Sequence, residues 1–314
     1  MKLCKRIPKH FEPPSLVITI GNFDGVHIGH QKIFRAVVEK AKLLRGTPSA
    51  MTFEPHPVRV LSPERDLRLI TSPEEKARLI FDTGIKSLIC VDFNRAFAHT
   101  DAEVFIRDIL VGQLKAKWII VGHNYTFGRA KKGNAALLRR RGKKYGFGVS
   151  VVRYAKVGGD IVSSSRVRHA VMNGKVGEVA RMLGRAYHIE GIVIKGAGRG
   201  TALLNTPTAN IATDSELIPK EGVYAVKVSI GKRVFDGVAN IGRNPTFNEG
   251  RMSYEVHILD FRGDLLGSRL RVHFLKRIRE EKKFSCVSDL FDHIKMDIEK
   301  ARQIFETDET SLTL

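Results

Sequence analysis

Apolar positions in the first half of the chain alternate between two rhythms. "SLVITI" (15–20) is a mainly apolar run of strand length, as expected of a strand buried on both faces. Directly after it, Ile33, Phe34, Val37, Val38, Ala41 and Leu44 recur at helical spacing. "PSAMTF" (48–53) predicts a second strand. "SPEEKARLIFDTG" (72–84) predicts a helix with Ser72 as its cap, Pro73 at its first position and Gly84 beyond its end. "KSLICVDF" (86–93) and "AKWIIVGH" (116–123) read as strands, with "TDAEVFIRDILVGQL" (100–114) as the helix between them. Strands alternating with helices predict a parallel, Rossmann-like sheet covered on both faces.

Beyond "SSSRVRHAVMNGKVGEVARMLGR" (163–185) the rhythm changes. "HIEGIVI" (188–194), "VYAVKVSI" (223–230), "RVFDGVANI" (233–241), "MSYEVHILDF" (252–261) and "RLRVHFL" (269–275) are short strand-like runs. "IGKR" and "FRGDLLG" supply turns between them. Short strands with turn signals predict a small antiparallel barrel. Val287, Leu290, Phe291, Ile294, Ile298, Ala301 and Phe305 then keep one apolar face of a closing helix. The boundary is expected near Gly184, which divides the chain into domains 1–184 and 185–314.

A length of 314 residues with 43% apolar content suits two cores of this kind. No apolar segment reaches the roughly 18–20 residues of a membrane span. The N-terminus lacks an apolar signal core, so a cytoplasmic location is expected. Cys4, Cys90 and Cys286 lie far apart with no metal-ligand spacing, and read as reduced thiols. The net charge of +20 favours anionic partners. Part of it is concentrated: Asn124 to Gly159 holds no Asp or Glu but ten Lys and Arg, from Arg129 to Lys156. Aromatic residues are not interleaved there as a base-stacking platform needs, so no specific nucleic-acid partner is expected.

Candidate chemistry concentrates in "GNFDGVHIGH" (21–30), between the first strand and the first helix. In an open parallel sheet, ligands bind beyond the carboxyl ends of the strands. A helix N-terminus there offers free N–H groups and partial positive charge, which suit phosphate. Gly21, Gly25 and Gly29 permit close backbone approach. His27 and His30, three apart, put both imidazoles on one side, where hydrogen-bond donors stabilise developing phosphoryl charge.

"HIGH" after a first strand resembles the H-x-G-H signature of nucleotidyltransferases. With "GNFDGV" before it, the chain resembles the bacterial bifunctional riboflavin kinase/FMN adenylyltransferase (FAD synthetase) family. The motifs continue in order: "TFEPHP" (52–57), "VGHNYTFGRAKKG" (121–133), "SSSRVR" (163–168), "LGRAYHIEG" (183–191), "TPTAN" (206–210), "EGVYAV" (221–226), "GVANIGRNPTF" (237–247) and "YEVHILDF" (254–261).

The resemblance implies two reactions, ATP with riboflavin giving FMN, and ATP with FMN giving FAD and pyrophosphate. In the first half it implies that His27 and His30 meet phosphate, with Gly21, Asn22, Phe23, Asp24, Gly25 and Gly29 around the nucleotide. Asp24 either supports the turn or contacts adenosine. Asn124 would lie at the flavin and phosphate site. Ser164, Ser165, Arg166 and Arg168 would close on the triphosphate. In the second half Glu255 matches the catalytic carboxylate. Thr208 and Asn210 match the residues that hold Mg²⁺ and phosphate, and both offer the hard oxygens that this ion takes. One segment departs from the family. "GRGTALLNTPTAN" (198–210) has Leu204, Asn205 and Thr206 where a glycine and an aromatic are expected. An adenylyltransferase with a weak or inactive kinase half is therefore the first alternative. Two others are a class I aminoacyl-tRNA-synthetase-like protein and a nucleic-acid-binding protein on an enzyme core. Against the former, "SSSRVR" stands where a K-M-S-K-S-like segment belongs.

Overall fold

The structure is a computed structural model that describes residues 2–4, 7, 15–195, 208–243, 252–282, 284 and 286–307. By its internal contacts the chain divides into two compact units, Met1–Ser164 and Ser165–Leu314.

The first unit is built on a six-stranded sheet: β1 (Lys2–Cys4), β2 (Val17–Ile20), β3 (Pro48–Glu54), β4 (Ser87–Asp92), β5 (Trp118–Gly122) and β6 (Gly148–Val152). The spatial order is β1-β4-β3-β2-β5-β6 and every pairing is parallel. Helices α1 (Ile28–Leu43), α2 (Pro57–Leu61), α3 (Pro73–Asp82), α4 (Arg95–Ala98), α5 (Ala102–Val104) and α6 (Ala135–Tyr145) connect the strands, and α5 runs on as a π-helical stretch, Phe105–Gln113. The two sheet faces carry separate cores. Val17, Ala50, Leu88 and Ile120 pack with Phe34 and Val37 of α1 and Ile80 of α3. Ile18, Ile20, Met51, Ile89 and Ile119 pack on the other side with Phe105, Ile106, Leu110 and Leu138. Alternate residues of β2 thus feed opposite layers, which is why three of its four residues are apolar and all four are buried. The expected start and stop of α3 are present: Ser72 accepts from the Glu75 N–H at 3.1 Å, and Gly84 follows the helix at φ +94.

From β2 the chain steps to β3 and β4 on one side, then returns to β5 on the other. The strand order therefore reverses beside β2, and a crevice is expected beyond the carboxyl ends of β2 and β5.

The second unit opens with most of α7 (Ser164–Met172), then α8 (Val176–Leu183). Val176, Val179, Ala180, Met182 and Leu183 form the buried side of α8. A closed barrel follows: β7 (Tyr187–Ile194), β8 (Thr208–Ala212), β9 (Gly222–Ile230), β10 (Arg233–Arg243), β11 (Met252–Ile258) and β12 (Arg269–Arg279), in the order β7-β8-β11-β10-β9-β12. All six pairings are antiparallel. α8 packs against β7 and β12, while α9 (Val287–Thr307) packs on β9, β10 and β12. Tyr224, Val226, Val272 and Phe274 are buried in the barrel interior. The "IGKR" turn is a two-residue hairpin: Ile230 pairs with Arg233 and Gly231 has φ +57.

Candidate functional site

The turn between β2 and α1 is held by backbone contacts. The Gly21 N–H donates to the Met51 carbonyl at 3.0 Å, and Thr52 Oγ1 donates to the Asn22 carbonyl at 3.0 Å. Phe23 turns its ring inward, 4.7 Å from Phe34 and 5.3 Å from His30, and is 2% exposed. Gly25 sits at φ +81 with the Ile70 side chain 3.0 Å from where a Cβ would stand, so strain and space both require glycine.

The sequence left two roles open for Asp24, and its contacts are those of a turn brace. The carboxylate is 2% exposed and accepts from the Ile70 N–H at 3.1 Å, the Thr71 N–H at 3.2 Å and Thr71 Oγ1 at 3.4 Å. It ties the ligand turn to the segment before α3. Asp24→Asn replaces one carboxylate oxygen by an amide donor that faces the Ile70 N–H, and is expected to cost about 2 kcal/mol, the scale of an unsatisfied buried polar group. Trp118 of β5 is the chain's single tryptophan. Denaturant unfolding followed by its fluorescence reads this loss in the first unit; an unchanged midpoint would remove the bracing role.

His27 is the N-cap of α1, and its Nδ1 accepts from the His30 N–H at 3.3 Å. An accepting Nδ1 carries no proton, so neutral His27 holds its proton on Nε2 as a donor. The two imidazoles stack, with centroids 3.6 Å apart and planes within 17°. Gly29 makes this possible: a Cβ there would stand 3.0 Å from the His27 ring. His30 Nδ1 is shielded from solvent and has no hydrogen-bond partner among the described residues. Burial first, and the neighbouring His27 second, hold the His30 imidazole well below the ordinary 6.5. His30 is therefore neutral at pH 7, and an arriving phosphate would favour its charged form.

The sign of the resulting pH dependence follows from linkage. The unfolded chain protonates His30 near 6.5 while the folded chain resists. His30 thus leaves stability intact above that pH and lowers it as the pH falls below, until the folded imidazole protonates too. Urea midpoints between pH 8 and pH 5, followed by Trp118 fluorescence, should show a shallower acid loss in His30→Gln than in the wild type. Equal slopes would sink this assignment.

Asn124 follows β5 and is exposed, placing it at the carboxyl end that flanks the expected crevice. The loop behind it is pinned. Thr126–Phe127 pairs with Gly133–Asn134, and the Arg129 N–H donates to the Thr100 carbonyl at 2.9 Å. Tyr125 stacks on Phe127 with centroids 5.5 Å apart, and burial raises its hydroxyl well above the usual value of 10. These rings continue a series that the sequence reading did not assemble. Phe53, Phe93, Phe97, Phe105 and Phe127 contact one another in turn at centroid distances of 5.4–6.2 Å. Phe53, Phe93 and the Tyr125–Phe127 pair come from or just after the carboxyl ends of β3, β4 and β5. The signal is an aromatic at the end of two predicted strands, Phe53 and Phe93, and another, Tyr125, two residues beyond a third.

The "SSSRVR" segment starts α7. Ser164 Oγ donates to the Asp24 carbonyl at 2.9 Å, joining this motif to the first. Ser165 is exposed and Arg168 half-buried. Arg166 is committed to Glu178 of α8 at 2.7 Å.

In the barrel, register brings the expected kinase residues together. Val256 and Ile258 are buried, whereas Ser253, Glu255 and His257 alternate with them on the other face. Glu255 stands directly opposite Asn210 of β8, and His257 opposite Thr208. On its other side Glu255 stands opposite Asn240 of β10, which the sequence reading had not singled out. The divergent segment 196–207 lies outside the described residues.

The comparisons agree with this geometry over nearly the whole chain. The FAD synthetase family profile matches residues 10–166, and that of riboflavin kinase matches residues 183–305. A bifunctional riboflavin kinase/FMN adenylyltransferase of Escherichia coli is 35% identical, covering 97% of this chain and 98% of its own. The protein of the same description from Bacillus subtilis is 36% identical, covering 94% of each chain. A solved structure described as a macrolide-efflux protein from Streptococcus pneumoniae superposes with a TM-score of 0.87 at 33% identity, covering 96% of this chain and 98% of that one. No helix among the described residues is long and apolar enough to cross a membrane. Two profiles in sequence, full-length relatives and the juxtaposed motifs together place the chain in the bifunctional riboflavin kinase/FMN adenylyltransferase family.

Proposed function

We propose that residues 1–184 carry adenylyl transfer to FMN and residues 185–314 carry phosphorylation of riboflavin, with ATP serving both. The chain is a bifunctional enzyme that makes FMN from riboflavin and FAD from FMN, releasing pyrophosphate in the second step. The reactions are placed in the cytoplasm.

The stacked His27–His30 pair at the start of α1 carries the adenylyltransferase assignment. An oxygen of the FMN phosphate attacks the α-phosphorus of ATP, the bond to the bridging α–β oxygen breaks, and pyrophosphate leaves. The nucleophile is already an anion, so no base is needed; alignment and charge stabilisation do the catalysis. The Nε2–H of His27, His30 and the free N–H groups of α1 supply donors, with Gly21, Asn22, Gly25 and Gly29 shaping the backbone around the nucleotide. Phe23 packs beneath and contributes backbone. Asn124 borders the flavin phosphate, and the aromatic series from Phe53 to Tyr125 offers an apolar wall for the flavin ring. For Ser164, Ser165, Arg166 and Arg168 the triphosphate role rests on the sequence motif alone.

In the barrel half the attacking group is a neutral ribityl hydroxyl, which benefits from a base. Glu255 takes its proton as the oxygen–phosphorus bond forms and ADP leaves. Thr208 and Asn210 share a face of β8 beside Glu255, so a hydroxyl, an amide carbonyl and a carboxylate are gathered on one surface. That hard-oxygen set fits Mg²⁺, held by Thr208 and Asn210. When bound with ATP, the ion neutralises phosphate charge.

The test incubates the protein with ATP–Mg²⁺ and either riboflavin or FMN, then separates the flavins by chromatography. FMN from riboflavin and FAD from FMN are expected. FAD from FMN with no FMN from riboflavin would leave the adenylyltransferase alone.

A further inference from the structure

Glu255 has a neighbour on each side in the barrel, and only Asn210 has a role so far. The other is Asn240. The pairing of β10 with β11 puts Asn240 directly opposite Glu255, as the pairing of β8 with β11 does Asn210. Directly paired residues of antiparallel strands point to the same face with Cβ atoms about 4.5–5.5 Å apart, within reach of an amide and a carboxylate. The flanking Ala239 and Ile241 are 2% and 1% exposed, whereas Asn240 is half-buried on the face that carries Glu255. The result is a row across three strands: Asn210, Glu255, Asn240. The Asn240 side chain makes no hydrogen bond to another described residue.

Resting on the assignment of Glu255 as the base, we propose that Asn240 is a positioning residue of the kinase half, its amide N–H orienting the Glu255 carboxylate from the side opposite the ion-binding Asn210. The chemistry explains the need. A carboxylate that takes a proton during phosphoryl transfer must keep one oxygen on the ribityl hydroxyl. Its other oxygen has to be held, or the group rotates away from the hydroxyl. An amide donor holds it without adding charge, so the base remains an anion until the hydroxyl proton arrives. A carboxylate at position 240 could not donate this bond.

The test measures kcat and KM for riboflavin phosphorylation by the full chain for wild type, Asn240→Ala, Asn240→Asp and Glu255→Gln. Thermal unfolding followed by circular dichroism in the same preparations is the control on folding of the barrel. Asn240→Ala is expected to lower kinase kcat about tenfold with the KM for riboflavin nearly unchanged. Asn240→Asp, which keeps the volume but removes the amide donor, is expected to lower kcat at least as far as Ala, again with KM nearly unchanged. A merely structural asparagine would tolerate this near-isosteric change. If Glu255→Gln is inactive as a kinase while both Asn240 variants keep the wild-type kcat and KM, the positioning role is wrong and the base assignment stands. If Glu255→Gln retains full kinase turnover, the base assignment falls and Asn240's role with it.

Discussion

Glu255→Gln is expected to abolish FMN formation from riboflavin and leave FAD formation from supplied FMN nearly intact. The two reactions differ in their nucleophile. A ribityl hydroxyl must lose a proton as it attacks; the FMN phosphate has none to lose. Gln keeps the size and hydrogen-bonding capacity of Glu but takes no proton at neutral pH. Glu255 lies on a barrel strand between Asn210 and Asn240, and the substitution adds no volume. Loss of a positioned general base corresponds to about 10²–10⁴-fold in rate. Equal damage to both reactions in a folded protein would count against the assignment, as would full kinase turnover. The divergent segment before Pro207 bears on the wild-type baseline. If the missing glycine weakens nucleotide binding, kinase turnover demands high ATP, and the comparison belongs at saturation.

His30→Ala is expected to reduce FAD formation from FMN by about 10²-fold or more, the scale of removing one preorganised donor from a site of developing charge. The kinase reaction is expected to be spared, because Glu255, Thr208 and Asn210 belong to the other compact unit. His30 stacks on His27 and touches Phe23, so Ala also opens space in the turn. His30→Gln keeps a donor and most of the volume. It should retain more activity than Ala if the donor matters, and Trp118 fluorescence shows whether the first unit still folds. FAD formation by His30→Ala at the wild-type rate would end the phosphate-stabilising role.

Much of the architecture was legible because its elements are long and regular. The run around β2, the helical spacing of α1 and the capped α3 each satisfy local rules that one stretch of chain expresses alone. Elements that were not read are short or masked by another signal. β1 spans three residues and, among the described residues, pairs with β4 alone, so it has no period to detect. "TPTAN" was read as a motif, and its last three residues begin the β8 strand that closes the barrel. The basic run was read by its charge, yet its centre is α6, capped by Asn134 and buried through Leu138 and Gly142, with Arg141 paired to Glu103.

The sequence by itself determined the alternating layers, the barrel half and the residues that bear the chemistry, because apolar period and motif order are properties of a single chain segment. Only the tertiary structure decided which of those residues meet. Asp24 and the Ile70–Thr71 backbone, the aromatic series across three strand ends, and the Asn210–Glu255–Asn240 row all join residues far apart in the chain. Strand register makes the last of these. A slip of one residue would turn Glu255 to the opposite face, and nothing in a strand's own sequence states which residue its neighbour places beside it.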